Sequence, residues 1–224
     1  MSSFTRYAVY YLPPTGSALA RFGADWLGWD NIACADRFVP SDRDLLTATP
    51  RKYGFHGTMK PPFRLADGET PEDLEAAVAA LARRYTPFAA PALKLATLGR
   101  FIALVPSAQS EELAALAGGC VMDLDSFRAP PSEAELAKRR AADLTPAQEV
   151  NLMAWGYPYV MDQFRFHLTL TGQLDDAEIP PTQEMLADLT AHLCQAPMPV
   201  DDIALLGEVD GGHFHLIHRY ALTG

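Results

Sequence analysis

Histidine and threonine recur at one short spacing in two distant segments. His56 and Thr58 lie in YGFHGTMK, and His167 and Thr169 lie in FRFHLTLT, 111 residues further on. An imidazole titrates at about 6.5 and can take or give a proton near neutral pH. Two of them can divide an in-line displacement at phosphorus, with a base on the attacking side and an acid on the leaving side. Side chains alternate along a strand, so each threonine stands about 6–7 Å from its histidine on the same face. The hydroxyl can then hold a non-bridging phosphate oxygen while the imidazole addresses the reacting one. Lys60, Arg165 and Thr171 extend the two rows, and the cations would offset the charge of a phosphodiester.

Such rows require strands, and the alternation supplies them. Phe164, Phe166, Leu168 and Leu170 share one face of the second segment, leaving Arg165, His167, Thr169 and Thr171 on the other. In the first, Phe55, Gly57 and Met59 oppose His56, Thr58 and Lys60. Gly57 thus faces away from the cleft. Strands are expected at 6–12, 53–60 (stopped by Pro61 and Pro62), 93–98, 101–105, 164–171, 200–206 and 214–221. Helices are expected at 17–28, 70–85, 110–117, 132–142, 145–155 and 182–194. Thr70 can cap the second helix, with Pro71 in its first turn.

These elements contain a repeat. Each motif strand is followed by a helix and two strands, and Thr70 and Pro181 each fall fourteen residues after their histidine. The pattern predicts an α+β protein with antiparallel sheets around a central cleft. It is read as one bilobal domain over 1–224 with lobes 1–109 and 110–224.

Two His-x-Thr motifs in matched strand contexts resemble the two-histidine (2H) phosphoesterase superfamily, with its LigT-like RNA ligases and cyclic nucleotide phosphodiesterases. The strings RKYGFHGTMKPPFRLA and WGYPYVMDQFRFHLTLTG look like a bacterial branch of unknown function associated with phosphonate-utilisation operons. The resemblance implies acid/base roles for His56 and His167 and phosphate-holding roles for Thr58 and Thr169. It implies no metal or other cofactor, and cyclic phosphodiester or related chemistry on a nucleotide, RNA end or phosphorylated sugar. Which histidine is the base stays open, as does the direction of reaction.

Further residues have a sharp and a bland reading. Tyr53, Tyr157 and Tyr159 could stack on or hydrogen-bond to substrate, and Tyr10 could reach the cleft, or all four could pack. Arg128, Lys138, Arg139 and Arg140 form either a basic lid or a solvated helix face. The solvated face is favoured for Lys138 and Arg139. His213 and His215 have the spacing of a metal arm, with Asp210 nearby and His218 on the opposite parity, which keeps a metallohydrolase as an alternative. Asp123, Asp125 and Asp162 suggest metal ligands only faintly. A non-catalytic nucleotide- or phosphonate-binding protein is the other alternative. No phosphate-loop, dinucleotide-binding or serine-hydrolase string is present.

The 224 residues carry a net charge of −10, which disfavours extended nucleic acid and anionic membranes. A compact anionic phosphoester or an RNA end remains compatible. No apolar run is long enough to span a bilayer, and no secretory signal is visible. Cys34, Cys120 and Cys194 read as reduced, buried thiols. The expected setting is the cytoplasm.

Overall fold

The computed structural model describes residues 4–209 and 212–224. The chain begins β1 (Arg6–Tyr11), α1 (Ala18–Leu27), β2 (Trp29–Asp30), β3 (Ala35–Asp36) and α2 (Ser41–Arg51). The first repeat follows as β4 (Gly57–Phe63), α3 (Pro71–Ala82), β5 (Phe88–Ala90), β6 (Leu93–Leu98) and β7 (Phe101–Pro106). Three helices intervene, α4 (Glu111–Asp123), α5 (Glu133–Arg140) and α6 (Pro146–Trp155). The second repeat is β8 (Leu168–Thr169), α7 (Ile179–Thr190), β9 (Met198–Val200), β10 (Asp202–Glu208) and β11 (Phe214–Ala221). Each repeat gains one short strand over the expected pattern, and these two, β5 and β9, pair with each other.

Seven strands form the main sheet in the order β11-β10-β1-β4-β8-β7-β6, with antiparallel neighbours throughout. The two motif strands are central and meet in the pairing Gly57↔Leu168. The hairpin of each repeat lies beyond the partner repeat's motif strand. β7 pairs with β8, while β10 pairs with β1, which in turn borders β4. Each side of the sheet therefore draws strands from both 1–109 and 110–224, so those segments are not the spatial lobes. Pairing each hairpin across the midline is what joins the halves.

One sheet face is apolar. Val9, Met59, Leu168 and Ile203 bury against helical residues such as Leu74 and Val78 of α3, Leu116 of α4 and Leu186 of α7. Thr70 caps α3 as expected, its hydroxyl accepting from the Asp73 amide at 3.1 Å. On the opposite face Tyr10 and Phe214 head a smaller cluster. That face also carries the motif residues.

Several boundaries differ from the sequence reading. Regular pairing in the second motif strand is confined to Leu168–Thr169. β4 starts after His56 and runs through Pro61 and Pro62 rather than stopping there. α7 begins at Ile179, with prolines in the first turn where no amide donor is needed. α2, unanticipated, has few apolar residues and contains Pro50. Cys34 is exposed, against the expectation, and Cys120 is buried. Among the described residues no helix is long and apolar enough to cross a membrane.

Candidate active site

The two histidines are held in the same way. His56 Nδ1 lies 2.8 Å from the carbonyl of Gly54, and His167 Nδ1 lies 2.7 Å from the carbonyl of Arg165. In each case the acceptor is two residues upstream. A carbonyl only accepts, so Nδ1 carries the proton and Nε2 keeps the lone pair of the neutral ring. Gly54 can present its carbonyl because it adopts φ +70°, with the Asn31 side chain packed where a Cβ would lie. His56 Nε2 lies 3.1 Å from Thr58 Oγ1, with the hydroxyl donating to the neutral ring.

The register brings the two motifs into one figure. Carried one residue each way from Gly57↔Leu168, it sets His56 opposite Thr169 and Thr58 opposite His167. The histidines are diagonal neighbours across the joint, about 7–8 Å apart by sheet geometry. On the reverse face Gly57 leaves the space that the Phe166 ring occupies.

Two cavities flank this figure. One, of 230 Å³, holds His56, Thr169, Thr171, Tyr53 and Phe101. The other, of 650 Å³, holds His167, Thr58, Arg165, Tyr157, Tyr159 and Phe101. Each histidine thus shares a cavity with the other motif's threonine. Phe101, which the sequence reading missed, stands in both, 5.7 Å from the His167 ring. It is the first residue of β7, and only the crossed pairing of β7 with β8 brings it here.

Tyr10 reaches the site. Its ring lies against His56 with centroids 3.7 Å apart and planes 20° from parallel. Burial pushes the His56 pKa from 6.5 down to about 4, and a charge on His167 acts in the same direction. Burial also lowers His167. Both rings are therefore neutral at pH 7.

The remaining candidates fall in different places. Lys60 leaves the His56 row because β4 carries an extra residue against β1 between Thr58 (opposite Tyr10) and Lys60 (opposite Val9). Its side chain is buried, donates to the Val121 carbonyl at 3.0 Å and lines a neighbouring cavity. Burial lowers its pKa to about 8. Thr171 faces the His56 cavity, but its hydroxyl is engaged by the Ile102 amide and the Gly172 carbonyl. Arg128 forms two bonds to Asp125, at 2.8 and 3.2 Å, and lines the same cavity as Lys60. Arg140 pairs with Glu149 at 2.6 Å, tying α5 to α6, and lines none of these cavities. Lys138 is exposed, as a solvated helix face requires, and Arg139 is half-buried; both also line the Lys60 cavity.

The C-terminal histidines lie elsewhere. His213 stacks on Trp29 at 4.2 Å, and His215 tilts against the same ring at 5.1 Å. His218 packs on Tyr220. β11 is separated from β4 by two strands. Asp210 lies outside the described residues, and among those described no three His, Cys, Asp or Glu side chains gather as a metal cluster.

Known proteins share this chain's sequence and its fold. It is 36% identical over 220 residues to ribose 1,5-bisphosphate phosphokinase PhnN of Janthinobacterium sp. (strain Marseille). It is 37% identical over 213 residues to the protein of that name from Laribacter hongkongensis (strain HLHK9). Each alignment covers 92% of this chain but only 48% and 49% of the relative, so the chain spans about half their length. E. coli LigT, in a crystal structure with 3′-AMP, superposes with a TM-score of 0.51 over 99% of this chain and 100% of LigT at 16% identity, a likeness of fold. The family described as "Protein of unknown function (DUF1045)" matches residues 58–215, from the first motif threonine to beyond the second motif. The chain belongs to the DUF1045 family and has a LigT-like α+β fold.

Proposed function

We propose that the chain is a phosphoesterase that opens a small cyclic phosphodiester by two-histidine general acid/base catalysis. The observation that carries this reading is the matched pinning of His56 and His167, each Nδ1 on a carbonyl two residues upstream, across one strand joint. His56 is held further toward the neutral form and is assigned the base role, with its basicity raised when an anionic ester binds beside it. Water gives its proton to His56 Nε2 as its oxygen bonds to phosphorus. The bond from phosphorus to the ring oxygen breaks, and that oxygen takes a proton from His167 Nε2, protonated in the bound complex. Proton exchange with solvent resets both rings. Thr169 holds a non-bridging oxygen as charge grows there, and the Thr58 hydroxyl, which donates to His56 Nε2 in the free protein, turns to the other once that nitrogen takes the water proton. Arg165 offers a cation beside His167.

The relatives' name makes a phosphorylated ribose the kind of ligand to test, and the phosphonate setting rests on the likeness of the two motif strings alone. Kinase chemistry is not carried over, because this chain has no G-x-x-x-x-G-K-[ST] loop. A cytoplasmic location fits such a substrate.

The test is turnover of a panel of cyclic phosphodiesters followed by phosphorus NMR, with wild type, His56→Ala and His167→Ala. Ring opening by wild type is expected, with losses of about 10²–10⁴-fold in each variant. Full activity in either variant overturns the mechanism. Saturable binding without turnover by wild type would instead favour a binding protein.

A further inference from the structure

A third cavity, of 270 Å³, adjoins the histidine cleft. It shares Tyr53 with the His56 side and Pro61 and Tyr157 with the His167 side. Seven of the chain's 18 lysines and arginines line it, in a protein of net charge −10. Arg6 and Lys52 share the carboxylate of Glu208. Lys60 and Arg128 share Asp125, at 3.8 and 2.8 Å. Arg64 pairs with Glu135 at 3.2 Å. Lys138 and Arg139 have no acidic partner among the described residues, and Arg139 lies over the Tyr157 ring at 4.6 Å. Seven cations against three carboxylates leave a surplus of four positive charges around one cavity.

That surplus is assembled from β1, β4, the turn after α2 and the α4–α5 region, so it is not the chance face of one helix. Like charges so close repel unless an anion joins them. A second observation lies on the boundary with the histidine cleft. The Tyr10 hydroxyl is fully buried and has no hydrogen-bond partner among the described residues. The ring that carries it covers His56 and packs in one cluster with Tyr53, which lines the basic cavity.

We propose that the basic cavity is a subsite for a phosphate monoester carried by the same molecule whose cyclic phosphodiester lies between His56 and His167. The proposal rests on the phosphoesterase reading above. A diester alone brings one negative charge, which leaves most of the surplus unmatched. A monoester dianion adds two charges and oxygens that Lys138 and Arg139, the two cations without a carboxylate, can share. The substrate class is a sugar or nucleoside phosphorylated at one end and cyclised through phosphate at the other.

The experiment compares adenosine 2′,3′-cyclic phosphate with its 5′-phosphorylated form. Wild type should favour the phosphorylated ester in kcat/KM by about 10-fold or more at low salt, chiefly through KM. In the double variant Lys138→Ala/Arg139→Ala the ratio should fall toward one, and a wild-type melting curve would show that the fold is kept. Calorimetry with ribose 5-phosphate, which lacks the cyclic ester, reads the subsite alone. Binding that the double variant loses, without turnover of either ester, keeps the subsite and overturns the phosphoesterase reading. Turnover of both esters at equal kcat/KM overturns the subsite and keeps that reading. Neither binding nor turnover overturns both.

Discussion

Tyr10 lies flat on His56, with ring centroids 3.7 Å apart and planes 20° from parallel. The stack fixes the imidazole plane, while the Gly54 carbonyl fixes its rotation. Tyr10→Leu removes the flat partner and should lower kcat more than it raises KM. An aromatic pair is worth ~0.5–1.5 kcal/mol beyond its burial, or about 2- to 12-fold in rate. Tyr10→Phe keeps the stack and removes the hydroxyl, so it should retain most of kcat. Steady-state kinetics of the two variants separates ring from hydroxyl. Equal kcat losses would count against the positioning role.

Thr58 stands opposite His167, and Thr169 stands opposite His56, so each threonine lines the cavity that holds the other motif's histidine. Thr58→Val and Thr169→Val keep the shape and remove the hydroxyl. Each should cost about 10–100-fold in kcat/KM, as expected for one hydrogen bond to a charged group. The double variant should lose more than either single. Thr171→Val should instead lower the melting temperature, because that hydroxyl is engaged by backbone on both sides.

The motif rows were legible because they depend only on the period of two, which holds for His56 to Thr58 and for His167 to Thr169. Lys60 broke the rule at a bulge, and nothing in GFHGTMKPPF marks an extra residue against β1. Arg165 falls outside regular strand, yet it supplies the carbonyl that holds His167. α2 escaped because its residues are mostly polar and no 3.6-residue stripe is present, although Thr49 and Pro50 form one wall of the His56 cavity. Phe101 and the basic cavity follow from pairings between distant segments, which local pattern does not encode. Lys138 and Arg139 looked like an ordinary charged helix face for the same reason.

Both imidazoles are lowered from 6.5, with His56 brought to about 4 by burial and by the charge of His167. In kcat/KM, which reports the free protein, the two limbs of the bell should both lie on the acid side of 6.5. An anionic ester between the rings favours their charged forms, so the limbs in kcat should move to higher pH. The stability sign follows from the same shift. Between 6.5 and about 4 the unfolded chain binds a proton that folded His56 refuses, so stability falls as pH falls through that window. His56→Gln should flatten this decline in melts recorded from pH 7 to 4. Limbs of kcat/KM above 6.5 would contradict the account.

The two halves of the sheet meet where Gly57 faces Leu168, and the Phe166 ring fills the place a Cβ on Gly57 would take. Phe166 is 7% exposed and packs edge-on to Tyr11 at 5.6 Å, so it has little room to withdraw. Gly57→Ala should destabilise by ~1–3 kcal/mol through overpacking. In a chain of this size each kcal/mol lowers the melting temperature by roughly 2–4 °C. Because the joint also sets the separation of His56 and His167, kcat should fall with stability. Phe166→Leu frees the space, so the double variant Gly57→Ala/Phe166→Leu should melt higher than Gly57→Ala alone and recover part of kcat. A Gly57→Ala protein with wild-type melting and rate would mean that this contact does not hold the motif strands together.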